Sequence, residues 1–231
     1  MQLDVSRFHP DAEARSRADK LVSLLIPVQK AYCTDRGFDA CVMAQQVLGG
    51  HGYVAEWGLE QNVRDARIAQ IYEGANGVQA LDLMGRKTVR ANGELLALLS
   101  EEMDAFVAEQ SGVAAMQPYL TSLAHCRAAL AQATATVIDR AGSNPEEIGA
   151  ASYAYMELMG LTLYCYMWQK ILATSVSQGG AAAEDGSGEY LDGLIKVGEF
   201  FLARQVPKAH SLLAEIEAGA ESLMALASNQ F

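Results

Sequence analysis

Basic residues are scarce in this 231-residue chain: 17 Lys and Arg stand against 28 Asp and Glu, for a formal net charge of -11. Nucleic acid or an anionic membrane requires an excess of cations on one face, so neither is expected as a partner, and an anionic ligand must find a local basic patch. Cysteine is sparse too. Cys33, Cys41, Cys126 and Cys165 lie far apart with no C-x-x-C pair, which argues against a disulfide framework or structural zinc site and points to a reducing cytoplasm. The longest apolar run, LMGLTLYCYMW at 158–168, is about half of what a spanning helix needs and reads as a buried core helix. The first twenty residues are polar and charged where a secretory signal requires an apolar run. No segment alternates apolar and polar residues with the period of a strand.

What remains is helical periodicity in a chain that is 51% apolar and able to bury a sizeable core. Leu21, Leu24, Leu25, Val28, Ala31 and Tyr32 follow one helix face, with Pro27 as a kink site. A second helix is expected over 35–48, stopped by GGHGY at 49–53, and an irregular connection follows to about 64. Asn76 is a candidate N-cap, with Gln79 three residues later completing a capping box, for a helix to about 90. Further helices are expected over 94–110, 118–140 and 145–177, then a Gly-rich loop at 177–189 and a last helix over 190–227 interrupted at Pro207. The fold class is all-α. Two units are expected, 1–91 and 92–231, the second with four helices, enough for a bundle.

Glu73 follows Ile71 and Tyr72 and precedes a Gly-Ala-Asn-Gly turn that opens a helix. One explanation is that the carboxylate merely favours the positive end of the helix dipole. The other is a general base for a weakly acidic C–H proton, its pKa raised by apolar neighbours and lowered by the helix terminus. GGHGY is either a plain helix terminator or a loop whose amides meet a phosphate-bearing ligand. It lacks the Gly-Lys-Ser/Thr ending of a Walker loop and follows no strand, so neither nucleotide fingerprint applies. His51 has no clustered ligand partners in sequence, and no metal site is expected; His9, His125 and His210 are assigned structural or surface roles. Arg64, Arg67, Arg86, Lys87 and Arg90 flank Glu73 in an otherwise acidic chain, either pairing with Asp65 and Asp82 or facing an anionic cofactor or substrate. Tyr153, Tyr155, Tyr164, Tyr166 and Trp168 have spacings that a core helix accounts for.

The ordered set Q-x-x-G-G-x-G-Y, R-D-A-x-I and I-Y-E-G, written here as QQVLGGHGY, RDARI and IYEGANGVQALDLMGRK, resembles the C-terminal helical domain of the acyl-CoA dehydrogenase family. Residues 35–87 carry the match. The helical extension after it is similar to a subgroup of larger dehydrogenases of the 3-methylmercaptopropionyl-CoA dehydrogenase kind.

The resemblance implies that Glu73 is the catalytic base, taking the α proton of an acyl-CoA thioester as the β carbon gives a hydride to FAD. It implies that Gly74 lets substrate pass close to the backbone, and that the amide of Glu73 polarises the thioester carbonyl. It also implies that Gln46, Val47, Leu48, Gly49 and Gly50 reach the FAD of a neighbouring subunit in a homo-oligomer, dimer or tetramer. Ala75, Asn76 and Gly77 would line the FAD site, although Ala75 lacks the hydroxyl the family usually carries there. Electron-transfer flavoprotein is the implied acceptor. A complete member has an N-terminal helical domain and a middle β domain, which this chain does not show; it reads as a C-terminal portion not expected to turn over alone. The competing expectation is a non-catalytic helical module for oligomerisation or partner docking.

Overall fold

A computed structural model describes residues 2–179 and 187–230, and every regular element among them is helical. A short helix α1, Gln2–Phe8, leads into α2, Ala12–Val47, whose first turn is capped by the Asp11 carboxylate accepting from the Glu13 amide at 3.1 Å. Contrary to the expected break near residue 35, α2 continues for 36 residues through Pro27 and Gly37. Its buried stripe, Leu21, Leu24, Val28, Ala31 and Tyr32, extends to Asp35, and packing of that face holds the helix where local propensity alone would end it.

The glycine run stops α2 as expected, and a single turn α3, Gly50–Tyr53, follows. Gly52 has its backbone against α2, where a β carbon would stand 2.1 Å from the Gln45 carbonyl oxygen. The expected irregular connection contains a helix, α4, Leu59–Ala69, started by left-handed Gly58 and packed along α2 with Leu59, Val63 and Ala66 partly buried. The helix α5, Asn76–Leu81, passes directly into a wider π-helical segment, Asp82–Val89. There the amides of Arg90 and Gly93 reach carbonyls five residues back, each at 3.0 Å.

Asn92 and Gly93, both at positive φ, turn the chain into α6, Glu94–Gln110. Then come α7, Gln117–Ala141, and α8, Glu146–Ser177, close to their expected bounds. The last helical stretch divides into α9, Gly188–Arg204, and α10, Lys208–Glu217, ending about ten residues before the expected 227. Of the loop expected at 177–189, residues 180–186 lie outside the described residues.

The core is organised by α8, apolar around most of its circumference and packed against α2, α5, the π-helical segment, α7, α9 and α10. Leu158, Met159 and Tyr155 are fully buried on it, and each such apolar side chain stabilises the fold by roughly 1.5–3 kcal/mol. The Tyr155 hydroxyl is within 2.7 Å of the Thr134 hydroxyl on α7, so its burial leaves no orphaned polar atom. Gly160 admits the Tyr32 ring of α2 so closely that a β carbon would stand 2.2 Å from it. Apolar packing is therefore continuous from Leu21 to Ile216, across the boundary expected at 91–92.

Candidate active site

At the end of α4 the helical winding persists for one more turn, with the Ile71 and Tyr72 amides donating to the Ile68 carbonyl at 3.0 and 3.2 Å. Two consecutive residues at positive φ, Glu73 at 51° and Gly74 at 85°, then reverse the chain. Glycine adopts that region freely, whereas a glutamate there is strained by about 1 kcal/mol. Gly74 is doubly constrained, since a β carbon would also lie 2.6 Å from the Gln79 side-chain nitrogen. The turn closes with the Asn76 amide donating to the Gln70 carbonyl at 3.0 Å.

Two expectations about this segment fail. Ile71, Tyr72 and Glu73 are all exposed, so no apolar shield covers the carboxylate among the described residues; shielding would require groups that approach from outside them. The capping box does not form either. Ala75 is the N-cap of α5, and Asn76 is its first helical residue with its side chain buried. Asn76 instead donates to Asp35 Oδ1 on α2 at 2.7 Å, and its own oxygen accepts from Lys30 Nζ at 2.6 Å. A buried carboxylate is a stronger acceptor for that amide than the exposed backbone of a helix terminus.

Glu73, Gly74, Ala75, Asn76 and Gly77 thus share one turn, but the other group of expected contact residues is elsewhere. Gln46, Val47 and Leu48 finish α2 and are exposed, and Gly49 and Gly50 have nothing within 4 Å of where a β carbon would stand. Gln46 is eleven residues along α2 from Asp35, the anchor beneath the Glu73 turn, which is about 16 Å of helix rise. Both segments suit a flat cofactor in part: 46–50 offers open backbone, while 75–77 offers open Gly77 and a methyl at Ala75. The Asn76 side chain is already engaged, so any contact it makes must come from its main chain.

Around these segments several large apolar side chains are exposed. Val47 is 82% exposed, Tyr53 78% and Tyr72 50%, with Met43, Trp57 and Val78 also open. His51 packs its ring edge-on against Trp57 at 5.4 Å, and no group of three or more metal-ligating side chains assembles among the described residues. Of the basic residues near Glu73, Arg67 donates to Gln70 and lies over the Phe38 ring, Arg86 pairs with Asp82, and Lys87 reaches Ser23. Arg64 and Arg90 are exposed. His125 and His210, far apart in sequence, meet edge to face between α7 and α10 with ring centroids 4.1 Å apart. A cleft of about 710 Å³ between α2, α8 and α9, walled by Tyr32, Tyr164, Trp168 and Phe201, does not include Glu73.

Sequence reasoning missed Asp35, Gln70 and Tyr153, whose side chains meet beneath the turn. One signal was available: Asp35 continues the Leu21, Leu24, Val28, Ala31 stripe at helical spacing, and a carboxylate on a buried face must have a partner.

The geometry defines a helical domain presenting a strained glutamate on a braced turn. The family described as "Acetyl-CoA dehydrogenase C-terminal like" matches residues 99–227, and "Acyl-CoA dehydrogenase, C-terminal domain" matches residues 10–87. The chain belongs to the acyl-CoA dehydrogenase family and carries its C-terminal helical region. It is 35% identical to 3-methylmercaptopropionyl-CoA dehydrogenase of Ruegeria pomeroyi over 205 residues, covering 88% of this chain and 34% of that protein. It is 27% identical to the broad-specificity linear acyl-CoA dehydrogenase FadE5 of Mycobacterium tuberculosis over 222 residues, 90% of this chain and 35% of that one. The chain therefore spans about a third of the length of these relatives.

Proposed function

We propose that this chain is the base-bearing C-terminal region of an FAD-dependent acyl-CoA dehydrogenase, with Glu73 as the general base. The observation that carries the proposal is the strained, exposed Glu73 in the I-Y-E-G segment of a chain belonging to that family. Glu73 takes the α proton of an acyl-CoA thioester, and the product is a trans-2-enoyl-CoA. Its backbone amide donates to the thioester carbonyl as enolate charge develops, and Gly74 leaves room for that approach. Bound FAD supplies the acceptor for the hydride leaving the β carbon. Residues 75–77 would hold it from one side and 46–50 from a neighbouring copy in a homo-oligomer, dimer or tetramer. Electron-transfer flavoprotein would be the acceptor partner.

An exposed carboxylate is a weak base for a C–H proton, and covering it by substrate and the rest of the enzyme strengthens it through desolvation. On this proposal the chain does not turn over alone. It is divided at the Asn92–Gly93 turn into units 1–91 and 92–231 that share one core. The cytoplasm is its proposed compartment, consistent with four free cysteines and with no described helix being long and apolar enough to cross a membrane.

In the flavin-loaded full-length enzyme, Glu73→Gln should slow flavin bleaching by acyl-CoA at least about 100-fold; unimpaired bleaching would overturn the assignment. The exposed apolar surface also favours a second reading, a helical module that oligomerises or docks a partner without a cofactor. Bound-flavin absorbance in the purified chain would exclude that alternative.

A further inference from the structure

The Glu73 turn is fastened at both ends to one oxygen atom. Asp35 Oδ1, on α2 and 6% exposed, accepts from Gln70 Nε2 at 2.6 Å and from Asn76 Nδ2 at 2.7 Å. Gln70 precedes the reversal and Asn76 follows it, and their main chains are joined by the Asn76 to Gln70 hydrogen bond. Each side-chain amide is fixed in orientation by a cation on its oxygen: Arg67 Nη1 on Gln70 at 2.7 Å and Lys30 Nζ on Asn76 at 2.6 Å. The other oxygen, Asp35 Oδ2, accepts from the Tyr153 hydroxyl of α8 at 2.5 Å. A carboxylate this deeply placed persists only because donors surround it, and here the donors are the two ends of the turn and a helix of the following unit.

We propose that Asp35 and Tyr153 are positioning residues for Glu73: Asp35 holds the ends of the strained turn together, and Tyr153 ties that hold to α8. The proposal rests on Glu73 being the base. It explains how an exposed reversal with two positive-φ residues keeps one conformation without apolar packing of its own. It also gives the extension after residue 92 a part in the chemistry, through one hydroxyl on the carboxylate beneath the base.

The test has two arms. In this chain, hydrogen exchange at the Asn76 amide and its neighbours in 72–76 should quicken about tenfold in Asp35→Asn and measurably in Tyr153→Phe, while α7 and α8 amides keep their protection. Tyr153 is partly exposed, so its phenylalanine variant retains the fold even where the Asp35 variant is widely destabilised. Unchanged exchange in the turn for Tyr153→Phe, or loosening spread evenly over all helices, overturns the proposal whatever Glu73 does. In the full-length flavoenzyme, Tyr153→Phe and Asp35→Asn should lower kcat by about 10- to 100-fold with KM nearly unchanged. They should have no further effect when Glu73 is already Gln. Additive losses in that double variant would place the two residues outside the control of Glu73. Failure of Glu73→Gln itself to slow reduction would refute the base assignment while leaving the exchange result standing.

Discussion

The turn at 70–76 and the α7–α8 pair are held by opposite means. Around α8 the side chains are buried on nearly every side, and the buried Tyr155 hydroxyl is matched by Thr134 of α7, while Gln169 Oε1 on α8 and Arg127 Nε on α7 are buried without a partner. Around Glu73 the apolar side chains point outward, and order comes from hydrogen bonds converging on Asp35. Packing tolerates many sequences of similar volume, while a polar brace requires particular atoms at particular distances. Residues with the strictest chemical requirements thus gather where packing contributes least.

Substitutions can break that contrast. The largest effect on stability should come from the bundle: Leu158→Ala, at a fully buried site, is expected to remove about 3 kcal/mol and to lower the midpoint of thermal unfolding by roughly 10 °C. A loss below about 1 kcal/mol would mean that α8 is not the packing centre. At the turn the sign reverses. Glu73→Gly relieves a positive-φ side chain and should leave the chain as stable or up to about 1 kcal/mol more stable, while abolishing acyl-CoA-dependent flavin bleaching in the full-length enzyme. A clear drop in unfolding midpoint would show that Glu73 holds the turn and is not strained by it.

The smallest effect concerns Glu157, where the two kinds of region meet. Burial raises its pKa above the ordinary 4.5, with Asp35 and Asp39 adding to the shift and Arg36, 3.4 Å away, opposing it. Its folded pKa exceeds the unfolded one, so its favourable contribution is complete below the unfolded pKa and is lost as pH rises through the folded pKa. Glu157→Gln should therefore stabilise the chain slightly at pH 7, and the advantage should vanish as unfolding is measured at progressively lower pH toward 4.5. An advantage that grows on acidification would show that the Arg36 pair outweighs burial.

Much of the architecture was legible because helical periodicity records which face is buried. Leu21, Leu24, Val28 and Ala31 gave α2 its inner face, and the bounds of α6, α7 and α8 followed from their own stripes and flanking Gly and Pro. Local rules failed where tertiary contacts outweighed them. Asn76 has the spacing of a capping box but points at a buried carboxylate 41 positions earlier, and the helix expected to break near residue 35 continues through Gly37 to Val47. His125 and His210 looked isolated because no sequence window spans the gap between α7 and α10.

The sequence by itself determined that the chain is helical, that it belongs to its family, and that Glu73 directly precedes a turn beginning at Gly74, because periodicity, motif order and glycine placement are properties of neighbouring residues. Only the tertiary structure decided that Glu73 is open to solvent and strained, that Asp35 rather than a capping box anchors its turn, and that Tyr153 from α8 completes the anchor. A buried carboxylate is stable only where donors converge on it, and that convergence exists only after distant helices have packed.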